Sequence, residues 1–375
     1  AILEQWQKSY QPGEVFTDVG APSDLVLSAH PDGGLRMSAS KHTNGGLEDH
    51  PFTWPDFRDY QFAIQERATQ RLESPRKLGE FMRDIYRDNP NDFRLFCPDE
   101  TNSNRLGAVF EASDRAFLED LIDRDVSISP TGRVMEVLSE HNCHGWLEGY
   151  TLTGRRGLFA SYEAFAMVSA SMTIQHAKWL EEAGHLDWRE PIPSLNILLT
   201  STCWRNDHNG FSHQGPGLIQ NVVTKRGSVA RIYLPPDANC LLSVADHCFR
   251  SENYLNLIVQ DKQPQLQYLS MEEAIEHCER GASIWEWAGN DDGHGDPDMV
   301  LACAGDVVTM ETIAAADILK QRLPEMKVRV VNVVDLMTLP RPQDHPHGMS
   351  DLLFRELFTD HVDVLFAFHG FHGAI

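Results

Sequence analysis

Leu195-Asn-Ile-Leu-Leu-Thr-Ser201 is an apolar run of strand length, and Trp204-Arg-Asn-Asp-His-Asn-Gly-Phe-Ser-His-Gln-Gly-Pro-Gly217 follows it as a dense polar loop. A short apolar run bounded by turn residues reads as a buried strand. Open α/β sheets bind their ligands beyond the carboxyl ends of parallel strands, which is where this loop would sit. The flanking sequence repeats the pattern. Phe93–Cys97, 229–234 and 254–259 read as further short strands; 78–87, 139–151, 159–182 and 240–249 read as helices. That alternation predicts an α/β fold of mostly parallel sheets flanked by helices.

Outward from this unit the pattern changes. Residues 1–58 are turn-rich, with glycine pairs at 33–34 and 45–46 and five prolines, and read as a connecting segment. The α/β unit is expected over 59–265 and a second linker over 266–296, which contains a short acidic helix, Met271–Arg280. A second α/β pattern fills 297–375: strand Met299–Ala304, helix 310–322, strand 328–334, helix 350–358 and strand 362–368. The chain begins with Ala1 and stops just past a strand at Ile375, so a piece of a longer polypeptide is expected.

The length of 375 residues allows two or three domains. A formal net charge of −23 argues against nucleic acid or an anionic membrane as partner, because both need a basic face. No apolar run approaches the roughly 20 residues of a membrane span. Seven cysteines without a CxxC pair suit reduced, buried thiols in a cytoplasmic protein.

Four motifs carry chemistry. In the loop after 195–201, His208, His213, Asn209 and Gln214 offer proton carriers and neutral hydrogen-bonding groups. In Leu138-Ser-Glu-His-Asn142, Ser139 can cap a helix and place Glu140 in its first turn, an ordinary place for a carboxylate. In Phe159-Ala-Ser-Tyr-Glu-Ala-Phe165, aromatics recur at i, i+3 and i+6, which suits core packing or a flat ring. Pro98-Asp-Glu-Thr-Asn-Ser-Asn-Arg105 follows a strand and offers Ser103, Asn104 and Arg105 to an anion. Residues 290–298 lack the spacing of a calcium loop, and 344–347 and His369 with His372 lack further metal ligands, so they read as surface loops.

Taken in order, RMSASKHTNGG (36–46), PDETNSNRL (98–106), LSEHN (138–142), residues 154–165, HAKWL (176–180) and DHNGFSHQGPG (207–217) resemble the middle portion of the phosphoketolases, thiamine-diphosphate enzymes related to transketolase. His208 and the long segment 1–58 suit phosphoketolase better than transketolase itself. The resemblance implies a transketolase-like pyrimidine-binding domain over 59–265 and the start of the family's carboxyl-terminal domain from 297. It gives Glu140 the hydrogen bond to the cofactor's pyrimidine ring. Asp99, Glu100, Tyr162 and Phe165 match cofactor-binding positions. Ser103, Arg105, Tyr162, Asn209 and Lys262 match groups that bind phosphate, and His208 and His213 match histidines that handle substrate hydroxyls.

The implied reaction cleaves xylulose 5-phosphate or fructose 6-phosphate with inorganic phosphate, giving acetyl phosphate, an aldose phosphate and water. Loss of hydroxide along the way asks for a general acid, for which His208 or His213 is the candidate. That family holds the diphosphate and Mg2+ in an amino-terminal domain, and no Gly-Asp-Gly…Asn signature occurs here, so no metal ligand is assigned within this segment. The resemblance further implies a homodimer or higher homo-oligomer. The alternative is a catalytically incomplete binding or regulatory subunit that retains the pyrimidine domain.

Overall fold

The computed structural model describes residues 1–36, 39, 51–98, 101–205, 215–225, 227–291 and 295–375. Three short helices, α1 (Ile2–Lys8), α2 (Pro12–Val15) and α3 (Asp24–Ala29), come first, and no described residue before Phe57 is fully buried. From there the chain runs β1 (Arg71–Leu72), α4 (Pro75–Asp88), β2 (Phe93–Cys97), β3 (Arg115–Ala116), β4 (Ile128–Ser129), β5 (Val134–Glu136), α5 (Glu140–Leu152) and β6 (Arg156–Tyr162). It continues through α6 (Glu163–Ala166), α7 (Ala170–Ala183), β7 (Leu195–Ser201), α8 (Gly217–Val222), β8 (Ala230–Tyr233), α9 (Ala238–Arg250) and β9 (Leu255–Val259). The remainder is β10 (Gln265–Leu266), α10 (Met271–Arg280), β11 (Ala282–Ile284), β12 (Met299–Ala304), α11 (Asp306–Arg322), β13 (Val328–Val333), α12 (Asp351–Phe358) and β14 (Val364–Phe368).

The larger sheet has the order β4-β3-β5-β2-β6-β7-β9-β8, and its pairings are all parallel. The smaller of the two main sheets has the order β11-β13-β12-β14, with only β11 antiparallel, and β1 and β10 form a separate antiparallel pair. Stretch 266–296 thus contributes α10 and an edge strand to the second sheet. The expected α/β class with mostly parallel, helix-flanked sheets is the observed one.

Local chemistry sets the helix ends. Ser139 accepts from the Asn142 N–H at 3.3 Å and starts α5. Asp237 is fully buried; it caps α9 through Cys240 N–H at 2.9 Å and accepts from Tyr268 and Leu269 N–H at 3.1 and 2.9 Å. Ser270 and Glu273 form a reciprocal capping box on α10, which Gly281 closes at φ 75°.

One element differs from expectation. Residues 156–162 form strand β6, and the helices start only at Glu163. As a central parallel strand β6 packs on both faces, with Phe159, Ala160 and Ser161 all buried. A strand apolar on both faces loses its alternation, so its aromatics at spacing three imitate a helix.

The two sheets share a core and a backbone connection. Leu234 N–H donates to Val334 O at 2.7 Å, and the buried Arg231 guanidinium lies 3.1 Å from Asp335. Ile232 and Leu257 of the larger sheet, with Leu234 just past β8, belong to the same apolar cluster as Val331, Val333 and Leu336. All seven cysteines are free, six of them buried, as their spacing led us to expect. Among the described residues no helix is long and apolar enough to cross a membrane.

Candidate active site

Five neighbouring strands, β5-β2-β6-β7-β9, end on the same edge of the larger sheet. Glu140 follows β5, Ser103 and Arg105 follow β2, Tyr162 ends β6, and Lys262 follows β9. Three of the four motifs, with Lys262, therefore converge on one edge, although Ser103 and Lys262 are 159 residues apart. Asp99, Glu100, His208, Asn209 and His213 lie outside the described residues.

The turn after β2 is fastened from several sides. Thr101 N–H donates to Glu136 at 3.0 Å, and Asn104 Nδ2 donates to Cys97 Sγ at 3.2 Å. Thr200 donates a short hydrogen bond to Asn104, tying the turn to β7. Arg105 sits at φ 65°, a conformation unusual outside glycine, and donates through Nε to Glu73 at 2.7 Å. Burial pushes Glu73 up, but hydrogen bonds from Arg76 and Arg105 outweigh it and hold the carboxyl below its ordinary range.

This framework presents Ser103 to two groups. Its hydroxyl shares a short hydrogen bond with Tyr162 and accepts from Lys262 Nζ at 3.1 Å. The same ammonium lies 3.9 Å from the centre of the Tyr162 ring, and Lys262 is 1% exposed. Tyr162 stacks on Phe165 at 6.3 Å with 21° between the ring planes. Lys262 Nζ has no carboxylate within ion-pair distance among the described residues, and a cation buried without a counter-charge is costly. A hydroxyl pair and a cation–π contact offset part of that cost. What the arrangement can do is hold an anion against Lys262, Ser103 and Tyr162.

Glu140 opens α5, half-buried, and its carboxylate has no hydrogen-bond or ion-pair partner among the described residues. Phe165 flanks Tyr162 on α6. Arg105 stands beside the cradle with its guanidinium held by Glu73 and by Ser103 O at 3.2 Å. No hydrogen bond or ion pair links Glu140 to the Ser103–Tyr162–Lys262 group among the described residues.

A second buried cluster went unread in the sequence. Glu163, the residue after Tyr162, is 1% exposed; His369 Nε2 approaches its carboxylate oxygens at 2.9 and 3.1 Å. Cys203 N–H donates to Glu163 Oε2 at 2.8 Å, and Cys203 Sγ lies 3.8 Å from His369 Nε2. The ligand atoms of these three residues lie within 4.8 Å of one another. The expectation that His369 belongs to a surface loop is corrected: it is 0% exposed at the end of β14. Nothing local marks it, because its partner is 206 residues away. Burial alone would depress the His369 imidazole, but the Glu163 carboxylate outweighs it and lifts its pKa well above the ordinary value.

Beside this cluster, Asp306 at the start of α11 accepts from Gln260 Nε2 at 2.8 Å and from the Asp261 N–H at 2.6 Å. Burial, then the charge of Asp261, pushes Asp306 up to about 7. Both shifts have one sign in stability. The His369 contribution is complete below its ordinary pKa of 6.5 and is lost as pH rises through the elevated one; ionising Asp306 becomes costly as pH climbs from 3.8 towards about 7. The melting temperature of the chain should therefore be lower at about pH 8.5 than at about pH 6.5, with the difference reduced in His369→Gln. Equal slopes in the two proteins would contradict this.

Comparison with known proteins follows the same division. Residues 76–251 match the family model of D-xylulose 5-phosphate/D-fructose 6-phosphate phosphoketolase, and 262–375 match the XFP C-terminal domain. Proteins named probable phosphoketolase from Rhodopseudomonas palustris strain HaA2 and Synechococcus elongatus are 56% and 54% identical over 99% of the chain. The chain spans 47% of each of these relatives, about half their length. Among solved structures, a transketolase mutant from Pichia stipitis aligns with a TM-score of 0.61 and 16% identity, over 84% of this chain and 41% of that one. Transketolase from Leishmania mexicana aligns with a TM-score of 0.59 and 15% identity, over 85% and 41%. These structures show the fold to be transketolase-like. With phosphoketolase models matching both sheets, and relatives more than half identical along almost all of it, the chain belongs to the phosphoketolase family.

Proposed function

We propose that this chain is part of a thiamine-diphosphate-dependent phosphoketolase that cleaves xylulose 5-phosphate, fructose 6-phosphate or both. Inorganic phosphate takes up the two-carbon unit, and the products are acetyl phosphate, an aldose phosphate and water. The observation that carries the reading is the buried Lys262 ammonium, held by Ser103 and the Tyr162 ring and without a carboxylate among the described residues. In a chain of net charge −23, such a cation is placed for an anion.

The residues present fit the pyrimidine half of the cofactor. Glu140 offers a half-buried carboxylate with no partner among the described residues, and Tyr162 and Phe165 offer stacked rings. Once bound, thiamine diphosphate supplies the electron sink for carbon–carbon cleavage. The chain's own residues do the rest. Glu140 holds a proton at the pyrimidine ring nitrogen; Phe165, with Asp99 and Glu100, completes the cofactor's surroundings. Ser103, Tyr162 and Lys262, joined by Arg105 and Asn209, fix a phosphate group. His208 or His213 delivers the proton that lets hydroxide leave as water.

Within this reading 59–265 is the pyrimidine-binding unit and 297–375 the beginning of the carboxyl-terminal one, joined by 266–296 and preceded by the linker 1–58. The diphosphate and Mg2+ belong to the amino-terminal domain, and the enzyme works as a cytoplasmic homodimer or larger homo-oligomer, without nucleic acid or membrane.

Phosphate binding is tested on the chain itself. At about 100 times its dissociation constant a ligand stabilises a fold by about 2.7 kcal/mol. Inorganic phosphate should raise the melting temperature beyond chloride at equal ionic strength, and the increment should vanish in Lys262→Ala. An increment that survives in Lys262→Ala would remove the cradle from the account.

A further inference from the structure

Two of the three strand ends that supply the anion cradle, β6 and β9, also send an adjacent residue to the carboxyl-terminal sheet and its helix α11. Tyr162 faces the cradle, and the next residue, Glu163, meets His369 at the end of β14. Lys262 faces the cradle, and the residue before it, Asp261, donates its N–H to Asp306 at the start of α11. The receiving side is itself tightly joined. His369 N–H donates to Ala304 O at 3.0 Å, between the ends of β14 and β12. Gly305 lies between Ala304 and Asp306 at φ 116°, and a Cβ there would stand 2.6 Å from the His369 Cβ. The close approach of β12 and β14 thus leaves no room for a side chain at position 305.

We propose that Glu163 and His369 are positioning residues, through which the carboxyl-terminal sheet sets the placement of Tyr162 and hence of the phosphate cradle. The inference rests on the reading of Ser103, Tyr162 and Lys262 as that cradle. Three features single out this pair. It is almost wholly buried, so solvent neither screens nor replaces it. It is adjacent in sequence to a cradle residue, so a shift of Glu163 moves Tyr162 through one peptide unit. It is also braced, since the Cys203 N–H at the end of β7 holds the same carboxylate at 2.8 Å. The Tyr162 ring supports the Lys262 ammonium by a face contact that depends on ring position.

The ligand of the cradle is a phosphate group, supplied by inorganic phosphate or by the sugar ester. The test uses the full-length phosphoketolase polypeptide carrying this chain and measures the KM for each source, kcat and the melting temperature. Glu163→Gln keeps an oxygen for the Cys203 N–H but removes the charge that holds His369. It should raise at least one phosphate KM about tenfold, a loss of about 1.4 kcal/mol, with kcat within about threefold. His369→Gln, which leaves Glu163 its bond to Cys203, should do the same and serves if the first variant fails to fold. The double variant Glu163→Gln/His369→Gln, in which two amides can pair, should recover most of the affinity. Asp335→Asn is the control, because it weakens another buried contact between the sheets, the one with Arg231, away from the cradle. It should lower the melting temperature and leave both KM values unchanged.

Unchanged KM values in Glu163→Gln and His369→Gln, or an equal rise in Asp335→Asn, would overturn the inference. So would one equivalent of zinc lost in Cys203→Ala, since the three side chains would then be metal ligands. Lys262→Ala separates the levels. If it leaves both KM values unchanged, the cradle itself fails; if it raises them while Glu163→Gln does not, only the positioning role fails.

Discussion

Glu140→Ala is expected to lower kcat for acetyl phosphate formation in the full-length polypeptide by about three orders of magnitude, within the range of proton-transfer contributions. The argument begins with its place in the fold. Ser139 caps α5, so Glu140 occupies the first turn at the carboxyl end of β5, next to β2, whose following turn carries Ser103, and one strand further from β6, which ends on Tyr162. Helix N-termini favour a carboxylate there, so removal of the side chain costs at most about 1 kcal/mol through the dipole. With no partner among the described residues, Glu140 holds no network together. The melting temperature should therefore stay within a few degrees of the parent while turnover disappears. Near-normal turnover would remove Glu140 from the cofactor site; loss of turnover together with the fold would mean the carboxylate is structural.

Lys262→Ala should raise the KM for phosphate, sugar phosphate or both by about 30- to 100-fold, the effect of losing charged hydrogen bonds worth about 2 to 3 kcal/mol. Cofactor affinity should change by less than about threefold, because the ammonium faces Ser103 and Tyr162 and not the Glu140 side chain. Stability has two opposing terms. Alanine leaves a cavity in a position 1% exposed, yet it also removes a buried charge that lacks a carboxylate among the described residues. A modest change in melting temperature with a large change in KM is the expected pattern. Unchanged KM values would mean that the anion is held elsewhere.

Much of the fold was legible in the sequence, as were Glu140, Ser103 and Tyr162, which the fold places at one sheet edge. The apolar runs at β2, β7 and β12 and the acidic helix α10 have the bounds read from their sequence, since turn residues or capping signals punctuate them. The loops beyond them carried the chemistry, and strand order then brought Ser103, Tyr162 and Lys262 together. What escaped has physical causes. Strand β6 is buried on both faces and carries no alternation. β3 and β4 are two residues long, too short for any period. Glu163 and His369 gain their meaning only from contact across the two sheets, and an isolated histidine near a chain end looks the same in sequence whether buried or exposed. Asp306 carries no motif signal in the sequence; its role rests on the Asp261 N–H and the Gln260 amide, which the fold brings to it.

The most direct measurement is 31P NMR of the full-length polypeptide incubated with thiamine diphosphate, Mg2+, xylulose 5-phosphate and inorganic phosphate. The account predicts acetyl phosphate and an aldose phosphate in equal amounts, with no acetyl phosphate when inorganic phosphate is omitted. Two-carbon transfer to an added aldose phosphate without any acetyl phosphate, or no consumption of the ketose at all, would contradict it.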